Sequence, residues 1–180
     1  MFENNLQSPF GYILCGGASK RMGASKPLQL FQGRALIEHM TSKLQQLNLI
    51  PILVQKTAHA FESPHQSIFD NHEDYHPLFG IATALTHASK NQDTALIIPC
   101  DSPLLLTNDL QKLLSDHPSV AYDTEGFVHA TIGHYPCTWK DWILSLAQKH
   151  QPTKELAKVS KRVTISIATL KNCNHPQDLQ

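Results

Sequence analysis

Apolar positions along the chain switch between two periods. Tyr12, Ile13, Leu14 and Cys15 form an unbroken run that predicts a buried strand ending at Gly16 and Gly17. Leu36, Met40, Leu44 and Leu47 recur at helical spacing with Ile37 beside them, which predicts an amphipathic helix from Ala35 to Leu47. Ile52, Leu53 and Val54 follow Pro51 as a second β-favouring run. Strand, loop, helix and strand make a βαβ unit, and such units imply a parallel sheet. Ser67 to Asp70 is a short apolar run ending in an acid, and Pro77 opens another helix with Leu78, Ile81 and Leu85 on one face. Ala95 to Pro99 is the most apolar, strand-like stretch, expected near the centre of the sheet.

The second half is read the same way. Asn108 is expected to cap a helix carrying Leu110, Leu113 and Leu114. Val120 to Tyr122 and Phe127 to Tyr135 read as strands around the turn Asp123 to Gly126. Thr138 to Lys149 reads as a helix whose Trp139 and Trp142 serve as core anchors. Lys154 to Lys161 is basic and helix-compatible. Arg162 to Thr169 alternates Val163, Ile165 and Ile167 with polar residues, a half-buried strand, and the closing NCNHPQDL reads as a turn into a short helix.

Composition narrows the classes. At 180 residues the chain is expected to form one domain, residues 1–180, and its 41% apolar and 17% charged content is ordinary for a globular protein. Fifteen basic and fifteen acidic residues cancel. A polyanion binder carries a basic excess, so nucleic acid is not an expected partner. No apolar run approaches the roughly 18 residues of a membrane span, and the start MFENNLQSPF lacks a signal-peptide pattern. Cys15, Cys100, Cys137 and Cys173 form no C-x-x-C pair, and a reducing cytoplasm is the expected location.

Candidate chemistry concentrates after two strands. The first is YILCGGASKRMGASK, Tyr12 to Lys26. Its glycine pair permits close backbone approach to phosphates, and Arg21 and Lys26 offer cations suited to oxyanions. The same residues also admit a basic surface turn. A Walker loop is excluded because Ala24, not lysine, follows Gly23, and the glycine spacing does not fit the dinucleotide fingerprint. The second is Asp101, just past the apolar strand, where open α/β sheets bind ligands. It is a candidate metal ligand, with a helix cap or turn as the alternative. His72-Glu-Asp-Tyr-His76 spells the H-E-x-x-H zinc pattern, but Pro77 disfavours helical geometry at His76, so a polar loop is expected instead.

The stretch L-C-G-G-A-S-K-R-M-G-A-S-K resembles the opening loop of nucleotidyltransferases that pass a nucleoside monophosphate to phosphate-bearing acceptors. With HPLFGI, PCDSP, the His129-Ala130-Thr131 segment and NCNHPQDL in order, the chain resembles the molybdenum cofactor guanylyltransferase family from about Tyr12 to Leu179. It departs from that pattern at His76 for glycine, Ala130 for proline, His175 for threonine and Gln55 for asparagine. The resemblance implies a Rossmann-like, three-layer α/β/α fold of the nucleotide-diphospho-sugar transferase type, with a mostly parallel sheet. It implies Arg21, Lys26 and Asp101 as catalytic residues. Leu14, Cys15, Gly16, Gly17, Lys26, Asp70, Gly80 and Asp101 would bind nucleotide. Asn172 and Asn174 would bind the acceptor, with a metal contact as the alternative for Asn174, and Asp101 would hold magnesium. The implied reaction moves GMP from GTP to the terminal phosphate of a molybdopterin-type cofactor and releases pyrophosphate. Molybdoenzyme maturation proteins would be further partners. A cytidylyltransferase, a sugar- or alditol-phosphate transferase and a non-catalytic nucleotide-binding module are the alternatives.

Overall fold

The computed structural model describes residues 9–16, 25–173 and 176–179. Strand β1 (Phe10–Leu14) is followed by a small hairpin, β2 (Leu30–Phe31) and β3 (Arg34–Ala35), whose turn residues Gln32 and Gly33 both sit at positive φ. Helix α1 (Leu36–Gln46) buries Leu36, Ile37, Met40 and Leu44. It stops at Asn48, which takes a left-handed φ of 58° that asparagine tolerates at a helix end. Then come β4 (Ile50–Lys56), β5 (Ser67–Asp70), α2 (Pro77–Ala88), β6 (Thr94–Pro99), α3 (Thr107–Ser115), β7 (Ser119–Tyr122), β8 (Val128–Pro136), α4 (Lys140–Gln148) and β9 (Lys161–Thr164).

The main sheet has seven strands in the order β5-β4-β1-β6-β8-β7-β9. β5, β4, β1 and β6 pair in parallel, as do β7 and β9, while β8 runs antiparallel to both its neighbours. Period-two alternation sends Tyr12, Ile52, Val54 and Ile97 into one core with α2 and α4. Ile13, Leu53, Leu96 and Ile98 enter the other core with α1 and α3. The result is the expected three-layer α/β/α arrangement with a mostly parallel sheet.

Four local expectations are corrected. Helix α3 begins at Thr107 with Leu106 at its N-cap position, so Asn108 lies inside the first turn and caps nothing. The last strand ends at Thr164, not Thr169, because its partner β7 ends at Tyr122. The Ile165 N–H to Tyr122 carbonyl bond is the final rung, and Ile167 is left exposed in a turn. Of the helix-compatible Lys154–Lys161, Lys154 to Val159 lies in a 3-10 stretch, Thr153–Val159, while Lys161 opens β9. Trp142 is exposed, packed edge-on against Trp139, while Ile143 takes the buried position.

Candidate functional site

The chain leaves β1 towards β4 and β5 on one side and later crosses to β6 on the other. The carboxyl ends of β1 and β6 therefore flank a topological switch point, where open α/β sheets place their ligands. A cleft of about 230 Å³ opens there. Leu14, Cys15 and Gly16 leave β1 along one wall, Pro99, Cys100 and Asp101 leave β6, and Gly80 of α2 with Tyr75 and His76 form another wall. The β6–β8 register runs from Thr94 opposite Pro136 to Ile97 opposite Gly133, and its continuation brings Thr131 up to Pro99 on the same rim.

Lys26 and Asp101 meet in this cleft, with Lys26 Nζ 2.5 Å from Asp101 Oδ2 and both side chains 16% exposed. Asp101 is held at its backbone: the Cys173 N–H donates to its carbonyl at 2.8 Å, and the preceding Cys100 N–H donates to the Leu14 carbonyl at 3.1 Å. Ser102 is fully buried and its hydroxyl donates to Asn172 Oδ1 at 2.8 Å, which brings the C-terminal segment and Asn172 to the cleft.

Among the described residues, Asp101 Oδ1 is buried with no hydrogen-bond partner. An oxygen of that kind suits a hard divalent cation. Magnesium characteristically takes one or two carboxylates and fills its remaining positions with water and substrate phosphates. Among the described residues no group of three or more His, Cys, Asp and Glu side chains is arranged to hold a metal. The unpartnered Asp101 oxygen at this cleft therefore fits a hard divalent cation whose other ligands are water or the oxygens of a bound anion.

Asp70 reaches the cleft wall, but both of its oxygens are engaged. Oδ2 is 2.8 Å from Lys56 Nζ, and Oδ1 accepts from the His72 N–H at 3.0 Å and lies 2.8 Å from His72 Nδ1. Gln55 is buried, its amide exchanging bonds with the Phe61 backbone and Ser67, so it holds the loop that follows β4. His76 caps α2 by accepting from the Leu78 N–H at Nδ1. Burial lowers its pKa, with His150 adding to the effect, which favours the neutral ring. Burial, then the adjoining Cys100 thiol and Asp101 carboxylate, push the Cys15 thiol well up, which removes it as a nucleophile.

Leu14, Cys15, Gly16, Lys26, Asp70, Gly80, Asp101 and Asn172 all line this one cleft. Gly17, Arg21 and Asn174 lie outside the described residues. Sequence reasoning missed Lys56 and Tyr75. A lysine at a strand end reads as a solvated tip, and only its distant partner Asp70 reveals it as buried. The exposed ring of Tyr75 carried no periodic signal.

Residues 11–165 match the family described as "MobA-like NTP transferase domain". The chain is 37% identical over 128 residues to the "Probable molybdenum cofactor guanylyltransferase" of Flavobacterium johnsoniae, covering 69% of this chain and 66% of that protein. It is 42% identical over 107 residues to the molybdenum cofactor guanylyltransferase of Histophilus somni, covering 57% and 54%. The match thus spans between about half and two thirds of those relatives. In three dimensions it is similar to the molybdopterin-guanine dinucleotide biosynthesis protein A of Archaeoglobus fulgidus, with a TM-score of 0.72 over 93% of each chain at 18% identity, a likeness of fold.

Proposed function

Because the chain belongs to the MobA-like NTP transferase family, we propose that it transfers GMP from GTP to the terminal phosphate of a molybdopterin-type cofactor. The single observation that carries this reading is the Lys26–Asp101 pair, with its orphaned Asp101 Oδ1, at the switch-point cleft.

The reaction joins two anions. An oxygen of the acceptor phosphate attacks the α-phosphorus of GTP, the bond from that phosphorus to the bridging oxygen breaks, and pyrophosphate leaves with the electron pair. A phosphate monoester is largely dianionic at neutral pH, since its second pKa is about 6. No general base is needed, and none of the cleft thiols is required to act as one. The site's task is positioning and charge cancellation.

Leu14, Cys15 and Gly16 offer backbone to the nucleotide, and Gly80 sits close by at the start of α2. Lys26 draws the phosphate chain in and cancels charge on the leaving pyrophosphate. The loop motif implies Arg21 as a second cation. Asp101 would hold the magnesium, which when bound would supply further charge cancellation on the phosphates. Asn172, fastened by Ser102, meets the acceptor, a role the family resemblance also gives to Asn174. Asp70 supports the nucleoside end through Lys56 and His72. Among the described residues no helix is long and apolar enough to cross a membrane, and the proposed place of action is the cytoplasm, upstream of the proteins that load the cofactor into its enzymes.

Incubation with magnesium, GTP and a molybdopterin-type acceptor tests the reading. Stoichiometric pyrophosphate and a guanine dinucleotide product are expected, with Asp101→Ala inactive. Turnover with CTP and none with GTP would assign the chain to cytidylyl transfer instead. Nucleotide binding without product from any acceptor, unchanged in Asp101→Ala, would make it a binding module.

A further inference from the structure

Lys56 ends β4 with its side chain 6% exposed, deeper than the Lys26 that faces the cleft. A buried ammonium is costly unless every proton finds an acceptor. Here all three do: Nζ donates to Asp70 Oδ2 at 2.8 Å and to the carbonyls of His72 and Asp74 at 2.6 Å each. The ammonium also lies 5.5 Å from the centre of the Tyr75 ring and 5.8 Å from that of Phe79. Its stem runs beneath the exit of β1, where a Cβ added to Gly16 would come within 3.1 Å of Lys56 Cγ.

One side chain therefore touches both walls of the cleft. The stem supports Gly16 on the phosphate side. The head gathers the carbonyls of the segment between β5 and α2, from which Tyr75 and His76 enter the opposite wall. We propose that Lys56 is a positioning residue that sets the width of the nucleoside end of the cleft. It touches no ligand, because its donors are all spent within the protein. Asp70 acts on the nucleotide through Lys56, not by direct contact. This role rests on the nucleotidyl-transfer reading above.

The test uses Lys56→Met and the double variant Lys56→Met/Asp70→Asn, each measured for melting temperature, GTP affinity and the two substrate KM values. Lys56→Met should raise KM for GTP by about tenfold or more, as misplacement of a positioning wall does, while KM for the acceptor stays at the wild-type value. The double variant removes the stranded carboxylate and should recover melting temperature, yet keep the raised KM for GTP, because the His72 and Asp74 carbonyls still lack their donor. Recovery of both quantities would reduce Lys56 to a counter-ion for Asp70 and overturn the role. So would an unchanged KM for GTP in Lys56→Met. Wild-type protein that binds no nucleoside triphosphate would sink the transfer reading itself, an outcome distinct from wild-type binding that the variants leave intact.

Discussion

Lys26 Nζ and Asp101 Oδ2 lie 2.5 Å apart across 75 residues of sequence. In the absence of substrate each group neutralises the other within a half-enclosed cleft. On the proposed transfer reading, a triphosphate with its metal gives both a new partner, so the pair holds the two charges that the reaction later separates. The two residues should behave as one unit. Lys26→Met and Asp101→Asn are each expected to lower kcat/KM by roughly 10²–10³-fold, the usual loss for one preorganised charge. The double variant should fall little further, since groups in contact are not additive. Steady-state kinetics of the three variants checks this, and fully multiplicative losses would show that the pair does not function jointly.

Tyr135 folds back over Gly133 on β8. Its hydroxyl donates to the Ala130 carbonyl at 2.7 Å, and a Cβ at Gly133 would lie 2.3 Å from the ring and 2.8 Å from the Ser119 carbonyl. The ring cannot move without losing that bond, and the carbonyl belongs to the paired strand. Gly133→Ala is therefore expected to destabilise the fold by about 1–3 kcal/mol, the range for overpacking a core. Urea unfolding against wild type measures it, and a neutral result would mean that β8 yields more readily than its pairing implies.

His134 carries a pH dependence away from the cleft. Burial, then the His117 ring nearby, pull its pKa down to about 4, and its Nδ1 is buried without a hydrogen-bond partner among the described residues. The unfolded chain takes up this proton near pH 6.5. Between about pH 6.5 and about pH 4 the unfolded state thus holds a proton that the native state lacks, and stability falls as pH is lowered. The slope from this one group is at most about 1.4 kcal/mol per pH unit. His134→Gln keeps a partner for Thr94, which now bonds His134 Nε2 at 2.8 Å, and should flatten that part of the profile. Melting temperatures of the two proteins from pH 7 to pH 4 decide it; parallel curves would exclude His134 as the source.

What the sequence disclosed depended on whether the signal was local. The helix bearing Leu36, Met40 and Leu44 and the apolar run before Asp101 are written in adjacent residues, and both stand where periodicity put them. Gly16 and the lone Asp101, each anomalous beside a hydrophobic strand, likewise pointed to the cleft that both now line. Errors arose where a partner decides the outcome. Val163, Ile165 and Ile167 alternate like a strand throughout, but pairing stops where β7 stops. Lys56 looks like a solvated end until Asp70, fourteen residues on, is seen beside it.

The reversed direction of β8 divides the labour of future change within this molecule. Its first residues and the Asp123–Phe127 turn rise to the same rim as the ends of the parallel strands. That turn can lengthen or alter its chemistry without disturbing a single rung between β1, β4 and β6. On the proposed function, one side of the rim is thus free to diversify towards new acceptors, while the side assigned to the nucleotide stays under the constraint of a tightly ordered lattice.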